Sequence, residues 1–138
     1  MLDDSYGNKN STNSVDAIAS YNDGVHQFLG AEPGVEVSFR AAISADPNFT
    51  LAHIGLAREM QLRGRSSDVK QSLNTALETS LNLSAREQSH LSVSSLLLRG
   101  KSAEARAAVY EHVKEWPRDV LIAQMCTSVF GLIGFSGL

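Results

Sequence analysis

The sequence is poor in the residues that carry most small-domain chemistry. It holds a single cysteine, Cys126, so no internal disulfide can form and no paired-cysteine metal site can be built. Cys126 lies in an apolar run, which predicts a buried, reduced thiol. The four histidines, His26, His53, His90 and His112, show no His-Glu-x-x-His spacing, and there is no EF-hand loop. Neither a metal site nor a cofactor is therefore expected. Prolines occur only at Pro33, Pro47 and Pro117, each at a place where a helix would end or begin. No stretch alternates strictly between apolar and polar residues, which predicts an all-α chain without strands.

Charge excludes further classes. The net charge is −3, and Lys and Arg are scattered, so there is no electrostatic footprint for nucleic acid. The start, "MLDDSYGNKNSTNS", is acidic and polar where a secretory signal is basic and then apolar. A cytoplasmic protein is expected on that ground. No glycine-rich phosphate loop occurs, and Cys126 as a nucleophile would need a histidine in reach, for which His90 is the candidate, and an electropositive, partly exposed setting, so an enzyme is not expected.

What is present is helical periodicity. Residues 1–14 have almost nothing to bury and read as a polar tail, disordered or draped over the surface. Asn13 or Ser14 can cap the helix that follows, in which Ile18, Tyr21, Val25, Phe28 and Leu29 recur at three- and four-residue steps. Ser84-Ala85-Arg86-Glu87 has the form of a capping box. Glu111-His112 and Arg86-Glu87 read as ordinary exposed helical charge.

Self-similarity organises the rest. "LRGRSSDVKQSLNTA" from Leu62 and "LRGKSAEARAAVYEH" from Leu98 share Leu-Arg-Gly-basic-Ser, 36 residues apart. Gly30, Gly64 and Gly100 stand 34 and 36 residues apart. Five residues after each comes Val35, Val69 or Ala105, and four later Phe39, Leu73 or Val109. Ala42 and Ala76 continue the pattern, and His112 breaks it. A glycine in this place lets the chain leave a helix in a left-handed conformation. Each unit is then a helix, a tight turn and a second helix, which cannot bury its apolar face alone. Stacking such units predicts antiparallel helical hairpins wound into a right-handed solenoid with a concave side.

A period near 34 with small, large and then proline positions resembles the tetratricopeptide repeat. "FRAAISADPNFTLAHIGLA", from Phe39, carries the likeness best, while His53 replaces the usual large aromatic and Leu81 stands where proline is expected. More narrowly, "LSAREQSHLSV", "WPRDVLIAQM" and "FGLIGFSGL" are similar to the family of tetratricopeptide repeat protein 38 and its bacterial relatives. That resemblance implies three degenerate hairpins over residues 15–118, then the first helix of an incomplete fourth repeat over residues 119–138. It also implies that the chain is the N-terminal third of a longer array, and it brings no catalytic activity.

The expected role is a non-catalytic scaffold that holds a protein or peptide in its concave face. Projected onto exposed positions of the first helices, the candidate groove residues are Ile54, Arg58, Gln61, Glu87 and His90. The alternative is an accessory or regulatory fragment of an enzyme system, with a small-molecule pocket lined by His90, Arg58 and Cys126. Arg63, Arg65, Arg99 and Lys101 sit at turns, either as solvated helix-end charge or as a basic edge for an acidic partner. Residues 120–138 carry no charge for 19 residues, enough for a membrane span by length, but their phase favours a repeat helix. Uncovered, that helix would pair with a second copy, giving a homodimer, or with downstream chain.

Overall fold

A computed structural model describes residues 1–128. Seven helices account for most of them: α1 (Val15–Leu29), α2 (Val35–Ala45), α3 (Thr50–Leu62), α4 (Ser66–Glu78), α5 (Ala85–Leu98), α6 (Ser102–Glu115) and α7 (Val120–Ser128). The chain is thus mainly helical, as its periodicity predicts. Two short strands precede the helices, β1 (Leu2–Asp3) and β2 (Lys9–Asn10), paired antiparallel with Leu2 opposite Asn10. Strands of two residues are too short to show alternation, which is why the sequence gives no sign of them.

Each helix packs chiefly on its neighbours in the chain, and α3 also meets α5. The apolar side chains fall into three clusters along this order. Tyr21, Phe39 and Phe49 lie in the first, with ring centroids 5.8 Å and 4.9 Å from Tyr21. Ile54, Leu73, Ala76 and Leu91 form the second, between α3, α4 and α5. Val93, Leu97, Ala105, Val109, Ile122 and Met125 form the third, under α5, α6 and α7. The positions singled out by the repeat, Val35, Val69 and Ala105 and then Phe39, Leu73 and Val109, are all buried. In α3 every residue from Thr50 to Met60 is buried, which is why that helix has little amphipathic character.

Helix ends follow from local chemistry. Ser14 caps α1 by accepting from the Ala17 N–H at 3.0 Å. Ser84 and Glu87 form the capping box of α5. After α3 and α5 the chain turns twice in the same way. Gly64 and Gly100 have φ of +71° and +76°. The Arg65 N–H donates to Met60 O at 3.0 Å, and the Lys101 N–H to Leu96 O at 2.9 Å. These are paired Schellman turns. The first turn departs from the expectation: Gly30 has an ordinary φ of −86°, and Ala31, at +52°, takes the left-handed position instead. The Glu32 N–H then closes the same bond to Gln27 O at 2.8 Å, one residue out of step with the glycine alignment.

Two glycines away from the turns serve packing. A Cβ on Gly24 or Gly55 would approach the Phe39 ring to 2.7 Å and 2.6 Å, so their absence lets the ring lie between α1 and α3. The described part of α7 is already covered, with Leu121, Ile122 and Met125 buried. The remainder of the apolar segment expected to pair with a second copy, residues 129–138, lies outside the described residues. No helix among the described residues is long and apolar enough to cross a membrane.

Candidate functional site

The densest polar chemistry lies at the junction of α5, α6 and the turn before α7, centred on Asp119. The turn begins where Pro117 prevents α6 from continuing. The Asp119 N–H bonds to Trp116 O at 3.1 Å, and Asp119 O accepts from the Ala123 N–H at 3.0 Å, so Asp119 begins α7 with its side chain turned inward. Three donors converge on its carboxylate. Arg86 Nη1 donates to Oδ2 at 3.0 Å, His112 Nε2 to Oδ2 at 2.9 Å, and His90 Nδ1 lies 2.9 Å from Oδ2 and 3.1 Å from Oδ1. All four residues are buried.

A carboxylate can only accept, so each imidazole must present an N–H to it. A neutral His90 therefore carries its proton on Nδ1 and a neutral His112 on Nε2. That leaves His112 Nδ1 to accept from Ser89 Oγ, 2.7 Å away. Burial pushes the Asp119 carboxyl up, but the charge of His90, hydrogen bonds from His112 and His90, and the charge of Arg86 outweigh it. The carboxyl is held well below the usual carboxylate range. Nearby Tyr21 moves the other way, raised by burial and then by the negative charges of Asp119 and Asp4.

The N-terminal segment completes the site. Of the two alternatives for residues 1–14, the structure takes the draped one and fixes it closely. Arg86 Nη2 donates to Lys9 O at 2.9 Å and to Asn10 Oδ1 at 3.1 Å. Glu87 caps α5 and also accepts from the Ser11 N–H at 2.8 Å and Ser11 Oγ at 2.6 Å. Thr12 Oγ1 reaches Asp46 Oδ2 at 2.6 Å, and Asn8 Nδ2 reaches Arg118 O at 2.8 Å. Adjacent residues of α5 thus hold one segment: Arg86 links it to Asp119, and Glu87 links it to the helix start. Within the segment, Asn10 and Thr12 are buried.

This corrects the reading of Arg86, Glu87 and His112 as exposed charge: Arg86 and Glu87 find partners 33 to 77 residues away, and His112 bonds Ser89, 23 residues back, and Asp119 across the turn, beyond any local pattern. Four of the five candidate groove residues are also buried rather than exposed: Ile54, Arg58, Glu87 and His90. Ile54 belongs to the core, His90 and Glu87 to the Asp119 junction, and Arg58 to the contact between α3 and α7. Gln61, half-buried, donates to Leu97 O at 3.2 Å and borders a groove. Arg58 lines a separate cavity of about 440 Å³ that neither His90 nor Cys126 borders, so those three do not share one pocket.

The junction also contains a potential ligand set that motif spacing could not reveal. The ligand atoms of His90, His112 and Asp119 lie within 4.8 Å of one another. The donor types suit zinc. Their present geometry is that of hydrogen bonds, however, and the Arg86 guanidinium sits 3.0 Å from the same oxygen that a cation would need. A divalent ion would have to displace Arg86 and deprotonate both facing nitrogens. The arrangement is a saturated polar network rather than an open coordination site.

The one sequence signal that anticipates this junction is the pair of segments behind the narrower resemblance, Arg86-Glu87-Gln88-Ser89-His90 and Pro117-Arg118-Asp119. The fold brings them together. Compared with protein-family models, with curated proteins and with solved structures, the chain finds no match.

Proposed function

We propose that the chain is a non-catalytic helical-repeat scaffold of the tetratricopeptide kind, a right-handed stack of helical hairpins that binds a segment of another protein. Two Schellman turns of the same geometry, 36 residues apart, and the packing of each helix on its chain neighbours support the repeat. The residues best suited to chemistry, Arg86, His90, His112 and Asp119, are occupied with one another in the interior. That favours binding over turnover.

The observation that carries the binding role is an open groove of about 450 Å³ between α3, α4 and the end of α5. Val69, Leu73 and Leu98 give it an apolar floor, and Arg65, Lys70 and Arg99 line it with positive charge. Arg65 already meets Asp68 and Glu36, at 2.6 Å and 3.1 Å. No carboxylate among the described residues lies at ion-pair distance from Lys70 or Arg99. An extended acidic segment with an apolar side chain suits such a surface. Part of the basic turn cluster noted in the sequence, Arg65 and Arg99, contributes to it.

Selection from a random displayed-peptide library tests the proposal. Convergent acidic sequences with an apolar residue are expected, with affinity that falls with added salt and in the double variant K70E/R99E. Failure to enrich any convergent sequence would overturn the scaffold reading. Enriched peptides insensitive to K70E/R99E would keep that reading and move the site.

A further inference from the structure

Arg58 is a buried cation with no counter-ion among the described residues. It is 4% exposed, yet no carboxylate among the described residues lies within ion-pair distance of it. Arg86, equally buried, shows the usual solution, a direct contact with Asp119. Arg58 has only neutral partners: Leu121 O and Gln124 Oε1, each at a long 3.3 Å, and the Phe28 ring, 5.0 Å from the guanidinium carbon. Two of its five N–H donors are thereby used. Burying an unpaired charge is costly, so a lone arginine of this kind is retained against a penalty that an anion would relieve. Burial lowers its pKa to about 10, which leaves it charged at neutral pH.

Arg58 lines the 440 Å³ cavity between the ends of α1 and α3 and the side of α7, together with its partners Phe28 and Gln124. Phe28, Val35 and Leu62 give that cavity an apolar wall. Its other charges limit what can enter. Glu59 is taken by Arg63 at 3.2 Å, and Glu32 at the rim faces His26 at 3.5 Å. Arg63 lines the cavity too and offsets the buried Glu59, so the lining carries two cations and two carboxylates, and Arg58 is the cation among them without a carboxylate at ion-pair distance among the described residues, which suits a single negative charge.

We infer that this cavity binds the carboxylate of a small apolar monoanion, with Arg58 as the charged anchor and Phe28, Val35 and Leu62 receiving the hydrocarbon part. The carboxylate belongs to a free apolar acid or to the apolar end of a peptide, which share this chemistry. The site is separate from the groove between α3 and α4, and neither depends on the other.

Titration calorimetry of the full chain with hexanoate and with N-acetyl-leucine tests the inference, with hexanol and N-acetyl-leucinamide as neutral counterparts. At least one carboxylate should bind and its neutral counterpart should not. Hexanoate alone would identify a free acid, and N-acetyl-leucine alone a peptide end. R58M should weaken binding by at least about thirtyfold, the loss expected when a buried charge pair is broken. L62E, at an exposed rim position that leaves the core intact, should weaken it by roughly tenfold through like-charge repulsion. Binding of neither carboxylate, equal binding of a neutral counterpart, or unchanged affinity in L62E or in folded R58M would overturn the inference.

Discussion

Replacing Asp119 by asparagine removes one charge from the centre of the junction and almost no volume. Arg86, His90 and His112 then face an amide whose oxygen can satisfy only part of what three donors offer, and whose NH2 opposes the rest. Breaking a buried ion pair by removing one partner costs about 3–5 kcal/mol, because the other charge stays buried. Arg86 keeps Lys9 O and Asn10 Oδ1 as acceptors, which places D119N near the lower end, about 3 kcal/mol. For a chain of this size that corresponds to a melting temperature lower by about 10 °C. Urea denaturation at neutral pH measures the difference directly. The double variant R86M/D119N should lose clearly less than the sum of the two single losses, since R86M removes the orphaned charge. A D119N loss below about 1 kcal/mol, or simple additivity with R86M, would refute the assignment of Asp119 as the organising charge. The pH dependence has a fixed sign. Asp119 has a folded pKa below its unfolded value, so its contribution is fully present above the ordinary carboxylate range. It is lost as pH falls through that range towards the folded value. Wild-type stability should therefore fall more steeply than that of D119N below about pH 5.

Gly55→Ala places a methyl 2.6 Å from the buried Phe39 ring; overpacking costs about 1–3 kcal/mol against a helix-propensity gain of about 1, so thermal denaturation should show a net loss. Ala31→Gly should stabilise by about 0.5–1 kcal/mol by relieving a left-handed alanine, and Gly64→Ala, with nothing within 4 Å, should cost about 1 through the backbone alone. Both are read by denaturant midpoint. Ser11→Asp sets a second carboxylate against Glu87, and amide exchange over residues 9–12 should accelerate while the α3 amides stay protected. Zinc should leave the melting temperature unchanged, because Arg86 holds the oxygen a metal would use; a rise with zinc that disappears in H112Q would show that the triad opens to metal.

Helix existence was legible because it depends on neighbours three and four residues away. Ile18, Tyr21, Val25 and Phe28 mark α1 without any knowledge of what they touch. The capping box at Ser84 was readable for the same reason, and the first cap was narrowed to Asn13 or Ser14, of which the structure uses Ser14. The left-handed turn was placed correctly at Gly64 and Gly100 but missed at Ala31, since φ there is imposed by closure of the turn on Gln27 O. His112 is the instructive break: the repeat calls for a small apolar residue, and the buried position is instead given to a side chain that bonds Asp119. Nothing local marks Gly24 and Gly55; their role comes from the Phe39 ring between them, contributed by another helix.

The sequence by itself determined the mainly helical class, the order of the segments and the inward face of α1, α2, α4 and α6, because apolar periodicity and caps are local properties; α3 and α5, buried on more than one side, carry no such signal. Only the tertiary structure decided that Arg86, His90, His112 and Asp119 share one interior network, that residues 1–14 are fastened to α5, and that Arg58 is buried with no carboxylate at ion-pair distance among the described residues. Those outcomes depend on contacts between residues tens of positions apart, and charge alone does not say whether such a contact will be made.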